Sequence, residues 1–320
     1  MTAIRVAEVS KTFRAGSVRA LDRVSLEIRP GETFGIIGPN GAGKTTLFGC
    51  LLGLLRSDSG AITLDGMPPD DLGVRRLTGY LPERLVLDRW MTGLDFLAYH
   101  HALAGLDRAT RSADCDAALA RVGLDPNAGR WTIRRYSRGM LQRLGLAQAL
   151  LGSPRFVFLD EPISGVDPAG VMLFRRILTD LKSSGATIII NSHQLDEIER
   201  ICDRVAFVRG GQVQSIETMT AGADLSRVLV VRWSGPVFGV DPAKLATLAT
   251  AAGASLVGVE PPTARFGVAD DAGATRLVQA LFAAGVPVIE ATPEGGRLER
   301  LFEAGSGGAP APPPPAGGPA

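Results

Sequence analysis

Cysteine is scarce in this chain. Three residues, Cys50, Cys115 and Cys202, stand far apart and form no C-x-x-C pair. That excludes a disulfide framework and a structural zinc site, and it suits a reducing cytosol. Net charge is scarce too: 34 basic residues against 33 acidic ones leave +1 at pH 7. No broad basic field exists to gather nucleic-acid phosphates, so no nucleic-acid partner is expected. Long apolar runs are missing, and stretches such as Ala186–Ile190 are far too short to cross a bilayer. The opening residues, MTAIRVAEVSKTF, lack a charged stretch followed by an apolar one, so no secretory signal is expected. The chain is expected to be soluble by itself, with any membrane role coming through a partner.

What is present is enough for a core. A chain of 320 residues with 45% hydrophobic content can hold one large domain and a small one. The most informative segment is Gly38-Pro39-Asn40-Gly41-Ala42-Gly43-Lys44-Thr45-Thr46, which fits G-x-x-x-x-G-K-[ST]. The apolar residues 33–37 before it read as a strand, and 47–52 after it as a helix, which is the context the motif needs. Glycines at 38, 41 and 43 free the backbone to turn successive N–H groups around a phosphate. The following helix points its positive end at the same anion. Lys44 supplies a charge near the β- and γ-phosphates, and the Thr45 hydroxyl is a candidate ligand for Mg²⁺.

Along the chain, alternation at Val24, Leu26 and Ile28 predicts a half-buried strand entering a Pro30-Gly31 turn. A further strand is expected over 61–64, helices over 94–103, 109–122, 140–151 and near 171–182, and strands over 155–159 and 187–190. This alternation implies an α/β fold with a mostly parallel sheet and a helical insert at about 84–150. Composition shifts near residue 220. From 228 to 291 the order strand, helix, strand, strand, helix, strand predicts a small α+β ferredoxin-like domain. The expected domains are therefore 1–218 and 225–304, the second closing with a helix over 298–303. The Pro/Gly-rich tail, 305–320, cannot build a core and should be disordered or polyproline-like.

A second phosphate-handling group lies at RFVFLDE, an apolar strand ending in Asp160 and Glu161. Asp160 at a strand end near a phosphate loop can hold Mg²⁺ through water. Glu161 is then placed to polarise an attacking water. His193 follows the strand at 187–190 and is placed to contact a γ-phosphate and hold water and base in line. His100 and His101, on a predicted helix, are assigned no chemistry.

In this order the motifs resemble the nucleotide-binding subunit of ABC transporters, over roughly residues 4–217. Tyr136-Ser137-Arg138-Gly139-Met140, followed by Leu141-Gln142-Arg143, is similar to the family's signature sequence. The resemblance implies that Ser137, Arg138, Gly139 and Met140 cap the ATP held by an opposite subunit, a role suited to a hydroxyl and a helix N-terminus. It further implies that Phe13 stacks on adenine, unless it is a core residue. Asp167, in SGVDP, becomes the aspartate that touches the partner's phosphate loop, Asp160 and Glu161 the metal-holding and catalytic carboxylates, and His193 the switch histidine. Glu83, in GYLPE, stands where the family usually has glutamine; it can reach a metal-bound water but has no amide hydrogen to donate. Glu83, Arg138 and Met140, with the C-terminal extension, resemble the branch serving type-2 exporters.

What the resemblance implies is a P-loop ATPase that uses ATP and Mg²⁺ and pairs head to tail, as a homodimer or with another ATPase subunit. It would work at the cytoplasmic face of the membrane through a separate transmembrane permease docked near residues 84–100. Trp90 and Met91 would either contact that permease or be buried within the insert. A ribosomal relative would carry two such units, and a DNA-repair relative a coiled coil or zinc hook; this chain has one phosphate loop, no heptad array and no cysteine pair. The Asp160-Glu161 pair argues against a regulatory protein that binds nucleotide without turnover.

Overall fold

A computed structural model of the chain describes residues 2–293 except 15, 86, 165, 220–226 and 235–240, together with 298. It divides into two compact units, Met1–Met219 and Thr220–Ala320. In the first, β1 (Ile4–Phe13), β2 (Val18–Ile28), β3 (Thr33–Ile37), α1 (Lys44–Leu51), β4 (Ser59–Leu64), α2 (Leu72–Arg76) and β5 (Thr78–Leu81) are followed by a run of helices. These are α3 (Gly93–Leu103), α4 (Arg111–Arg121), α5 (Pro126–Gly129) and α6 (Arg138–Ala149). The chain then alternates through β6 (Phe156–Asp160), α7 (Pro168–Ser183), β7 (Thr187–Asn191), α8 (Leu195–Ile201), β8 (Arg204–Arg209) and β9 (Gln212–Thr218).

The central sheet has the order β5-β6-β7-β3-β8-β9. Its strands are parallel apart from β9, which returns antiparallel beside β8. Every residue of β3, β6 and β7 is buried, as strands covered on both faces must be. A separate antiparallel sheet, β2-β1-β4, supplies the other wall of the core. Ile4, Val6, Leu21, Val24, Leu26 and Ile28 pack with Phe34, Ile36, Phe48, Phe156 and Phe158. Phe48 meets Phe158 edge to face at 5.9 Å, fastening α1 to β6. Full burial of each such ring contributes about 1.5–3 kcal/mol, so the phosphate loop and the carboxylate-bearing strand are held as one body.

Helices α3–α6 form the insert between β5 and β6. A capping box opens α3, with Thr92 accepting from the Asp95 N–H and the Asp95 carboxylate accepting from the Thr92 N–H. Ser137 caps α6, and Asp167 with Pro168 at the first helical position opens α7.

In the second unit β10 (Arg227–Trp233), α9 (Pro242–Ala251), β11 (Ser255–Glu260), β12 (Thr263–Val268), α10 (Asp271–Ala283) and β13 (Val288–Pro293) follow in turn. The strands form an antiparallel sheet of order β11-β12-β10-β13. Leu229, Val231, Trp233 and Phe266 of the sheet pack with Leu245 of α9 and Leu277 and Leu281 of α10. The helix expected over 298–303 and the tail at 305–320 lie outside the described residues, apart from the buried Leu298.

Candidate functional site

The carboxyl ends of adjacent parallel strands converge on one place. From β3 the chain enters Gly38–Gly43 and then α1, whose first residue is Lys44. Gly43 has φ 103°, and a Cβ there would stand 2.3 Å from the Ala20 carbonyl oxygen; at Gly38 it would stand 2.1 Å from that of Val208. No other residue fits either position. A Cβ on Gly41 would meet nothing within 4 Å, so the reason for glycine there is its φ of 78° alone. Gly43 caps α1 without a side-chain hydrogen bond, which leaves the N–H groups of the helix start available to an anion.

Lys44 is 9% exposed, and its Nζ donates to the carbonyls of Gly38 (2.8 Å) and Pro39 (3.1 Å). The amine is thus folded over the loop it serves. Burial holds its pKa below the ordinary lysine value, opposed by the charges of Glu161 and Asp160. The Thr45 side chain is exposed on the first turn, beside the half-buried Thr46, while Pro39 and Asn40 lie on the loop's open side and Ala42 is buried.

Facing the loop, Asp160 ends β6 with 4% exposure. Burial raises its pKa, the Asn191 hydrogen bond lowers it, Glu83 and Glu161 raise it and Lys44 lowers it. Asn191 Nδ2 donates to Asp160 Oδ1 at 2.6 Å, across a parallel register that sets the two residues side by side. The other amide atom of Asn191, Oδ1, is buried without a partner. Glu161 follows in left-handed backbone, φ 50°, an uncommon conformation for glutamate. Its N–H donates to the Asn191 carbonyl at 2.8 Å, and its Oε2 lies 2.8 Å from His193 Nδ1. Glu83 is exposed after β5 and is felt electrostatically by both Asp160 and the half-buried Tyr80.

A basic loop at a helix start therefore faces a group of carboxylates. That arrangement suits an anion that carries its own divalent cation. One buried carboxylate and a hydroxyl, Asp160 and Thr45, are hard oxygen donors of the kind Mg²⁺ takes when phosphate oxygens and water complete its shell. Beside Asp160, the buried Asn191 Oδ1 is a further oxygen acceptor without a partner.

The other singled-out residues are distributed around this centre. Phe13 ends β1 at the surface, 37% exposed, with the Lys11 Nζ 5.6 Å above its ring, so it is not a core residue. Ser137 Oγ accepts from the Met140 N–H at 3.3 Å, and Gly139 faces open space. Arg138 Nη2 reaches Ser164 Oγ (3.4 Å) and Gln142 Nε2 the Pro162 carbonyl (3.0 Å), tying α6 to the loop after Glu161. Asp167 caps α7 through the Gly170 N–H. Trp90 is 75% exposed, so burial within the insert is excluded for it, while Met91 is half-buried. His100 packs on Phe96, and His101, fully buried, binds Asp114 at 2.8 Å; neither approaches the phosphate loop's chemistry through any described contact. Asn191 escaped the sequence reading. Its signal is a polar residue closing the otherwise apolar TIII run, but only the strand register assigns its partner.

Fold and site together define a phosphate-loop nucleotide-binding protein of the class with a helical insert. Comparison with known proteins narrows this. The family described as ABC transporter matches residues 21–164. An uncharacterised ABC transporter ATP-binding protein of Synechocystis sp. is 43% identical over 212 residues, covering 64% of this chain and 60% of that protein. The lantibiotic transport ATP-binding protein SrtF of Streptococcus pyogenes is 33% identical over 66% of this chain and 88% of its own length. A solved ATP-binding subunit of an ABC transporter superposes with TM-score 0.63 at 28% identity, covering 68% of this chain and 90% of that one. The chain belongs to the ABC transporter family, and its first unit is an ATP-binding domain of that family's ATPases. It spans 60% and 64% of the lengths of its cyanobacterial relatives from Synechocystis and Nostoc.

Proposed function

We propose that this protein is the ATP-hydrolysing subunit of a membrane ABC transporter of the exporting, type-2 branch. The observation that carries this is the convergence of the Lys44 loop, Asp160, Glu161 and His193 at the ends of the neighbouring strands β3, β6 and β7. In this reading Gly38–Thr46 cradles the triphosphate and Phe13 stacks on adenine. Thr45 and Asp160, with Glu83 through water, would hold Mg²⁺, whose charge would offset that of the phosphates. Glu161 accepts a proton from the water that attacks the γ-phosphorus as the bond to the β-phosphate oxygen breaks, giving ADP and phosphate. His193 keeps that carboxylate aligned. General-base help of this kind is worth about 10²–10⁴ in rate.

Two copies, or one copy and a related ATPase subunit, pair head to tail. Ser137, Arg138, Gly139 and Met140 of each close over the triphosphate of the other, and Asp167 meets the partner's loop. The exposed Gly139 backbone and the helix start at Ser137 support this capping. A separate transmembrane permease docks near residues 84–100 at the cytoplasmic face, with Trp90 and Met91 in contact. The second unit is a ferredoxin-like accessory domain, a reading supported by its sheet order β11-β12-β10-β13 and both helices packing into one core. Likeness to a lantibiotic transport protein supports a transport role.

Glu161→Gln tests the assignment. ATP should still bind, turnover should collapse, and a nucleotide-held dimer should accumulate on size-exclusion chromatography. Unchanged turnover would remove Glu161 from its role, and a monomer under those conditions with the permease present would remove the clamp.

A further inference from the structure

His193 lies on the short link between β7 and α8, and the two ends of that link are held unequally. On the strand side Asn191 and Ser192 are buried, so that end is fixed. On the helix side, α8 is short, its cap residue Gln194 makes no side-chain bond, and Ile198 is its one buried residue. A Cβ on Gly35 of β3 would stand 3.1 Å from Ile198 Cγ2, so this side chain pins α8 to the sheet. A single apolar pin sets a distance and leaves rotation free. Rotation is set from α7, where Arg175 Nε donates to Glu197 Oε2 at 2.9 Å and Nη2 donates to Oε1. Both side chains are half-buried. Among the described residues this fork is the one side-chain hydrogen-bonded link from α8 to another element.

We propose that Arg175 is a positioning residue for ATP hydrolysis: through Glu197 it fixes the first turn of α8, and with it the aim of His193 at Glu161. This role rests on the ATPase reading above, in which His193 keeps the Glu161 carboxylate aligned. His193 Nδ1 stands 2.8 Å from Glu161 Oε2 although the histidine side chain is 64% exposed. Packing therefore does little to hold the ring, and the backbone beneath it must. A two-pronged guanidinium–carboxylate contact is directional, which a lysine pair is not. The far end of α8 has a lysine pair instead: Lys182 of α7 meets Asp203, just past the helix. Asp203 also accepts from the Thr33 N–H of β3 at 2.9 Å. That end is thus tethered to the sheet without α7, whereas the His193 end depends on the fork.

Steady-state phosphate release by the full chain tests this. A displacement of about 1 Å at a reacting group can cost about a hundredfold, so loosening the fork by Arg175→Gln should lower kcat about tenfold. The KM for ATP should stay within about twofold, because the fork bears on the aim of His193 and not on the phosphate loop. Lys182→Gln removes the other bridge from α7 and should leave kcat within about twofold. An equal loss in both variants would mean general loosening and would overturn the role. In a His193→Ala background, Arg175→Gln should cost less than about twofold further, since the two act as one unit; an undiminished cost there would show that Arg175 does not act through His193. A folded Arg175→Gln chain with the kcat of the wild type would also overturn it. If that variant fails to fold, Arg175→Lys, which keeps the charge and loses the fork, serves with the same direction of change. Glu161→Gln and His193→Ala alone, in the same assay, judge the ATPase reading. Should both lower turnover while the Arg175 variants do not, the positioning role falls and that reading stands.

Discussion

Replacing Asn191 by leucine gives a severe test of the site's electrostatics. Asp160 and Asn191 are 4% and 3% exposed, and among the described residues the Asn191 amide is the one side-chain hydrogen-bond donor to that carboxylate. Glu83 and Glu161 both work against its ionised form. A hydrogen bond to a charged group contributes about 1.5–3 kcal/mol, and its loss leaves the carboxylate buried and unmet. Asn191→Leu, which keeps the number and branching of the side-chain heavy atoms, should therefore destabilise the nucleotide-free first unit by about 2 kcal/mol. For a unit near 200 residues that lowers the unfolding temperature by about 4–8 °C. One term opposes this: Asn191 Oδ1 has no partner, and leucine removes that unsatisfied acceptor.

A double-mutant cycle separates the two terms. In an Asp160→Asn background the charge is gone, so Asn191→Leu should cost less than about 1 kcal/mol or even stabilise. The assay is calorimetric unfolding without nucleotide, following the transition that ATP shifts. A coupling below about 0.5 kcal/mol would refute the claim that Asn191 supports Asp160's charge, because sites that close do couple when they share a charged hydrogen bond.

Gly43→Ala should abolish binding of a fluorescent ATP analogue, since its Cβ would stand 2.3 Å from a backbone oxygen, while Gly41→Ala meets no neighbour and should retain it with strain of about 1–2 kcal/mol; equal behaviour of the two would refute the steric account. Asp58, held by Lys11 and Thr12, has its pKa lowered to about 2. A depressed carboxylate stabilises the fold above its unfolded pKa and loses that contribution as pH falls. The stability difference between wild type and Asp58→Asn should thus be constant at neutral pH and close between 3.8 and about 2; a difference that persists below this window in denaturant titrations would contradict it. Glu83→Gln should leave ATP affinity nearly unaltered in equilibrium titration, and a large loss would mean that the side chain contacts nucleotide more directly than through a metal-bound water.

The phosphate loop was legible because its signal is local: nine consecutive residues, an apolar strand before and a helix after. Even so, apolar spacing suggested a helix from Leu47, whereas α1 begins at Lys44, because the left-handed Gly43 decides where the helix starts. The strand β1 was not legible. Its pairing shifts between Val6 and Val9, with Glu8 at φ 50°, and such a bulge breaks the two-residue alternation that marks a half-buried strand. The antiparallel sheet it joins was therefore invisible, although Val24–Ile28 and Ala61–Leu64 were both readable as strands. Contacts across strands were the other gap. The 2.8 Å approach of Glu161 to His193 and the Asp160–Asn191 bond join residues some thirty positions apart, and nothing short of the β6–β7 register states that they meet.

Capping by Ser137 bears on how the proposed clamp can form. Its Oγ is already engaged as the N-cap of α6, which at first sight competes with contact to a triphosphate. A hydroxyl carries one donor proton and two lone pairs. In the cap it accepts, using a lone pair; toward a phosphate it would donate. The two bonds are compatible, and the cap fixes the direction in which the free proton points. Asp167 differs, because a carboxylate has no proton to give, and its cap bond to Gly170 spends only one of its acceptor sites. It can meet donors on a partner but not its phosphates. Clamp closure by this route needs no helix end to be uncapped, a loss of about 1 kcal/mol for each cap surrendered. Ser137→Ala should therefore weaken both α6 and the nucleotide-held dimer, whereas Ser137→Asp should keep the cap and lose the dimer through repulsion of the phosphates. Retention of that dimer by the aspartate variant, in the Glu161→Gln background, would show that Ser137 does not face phosphate.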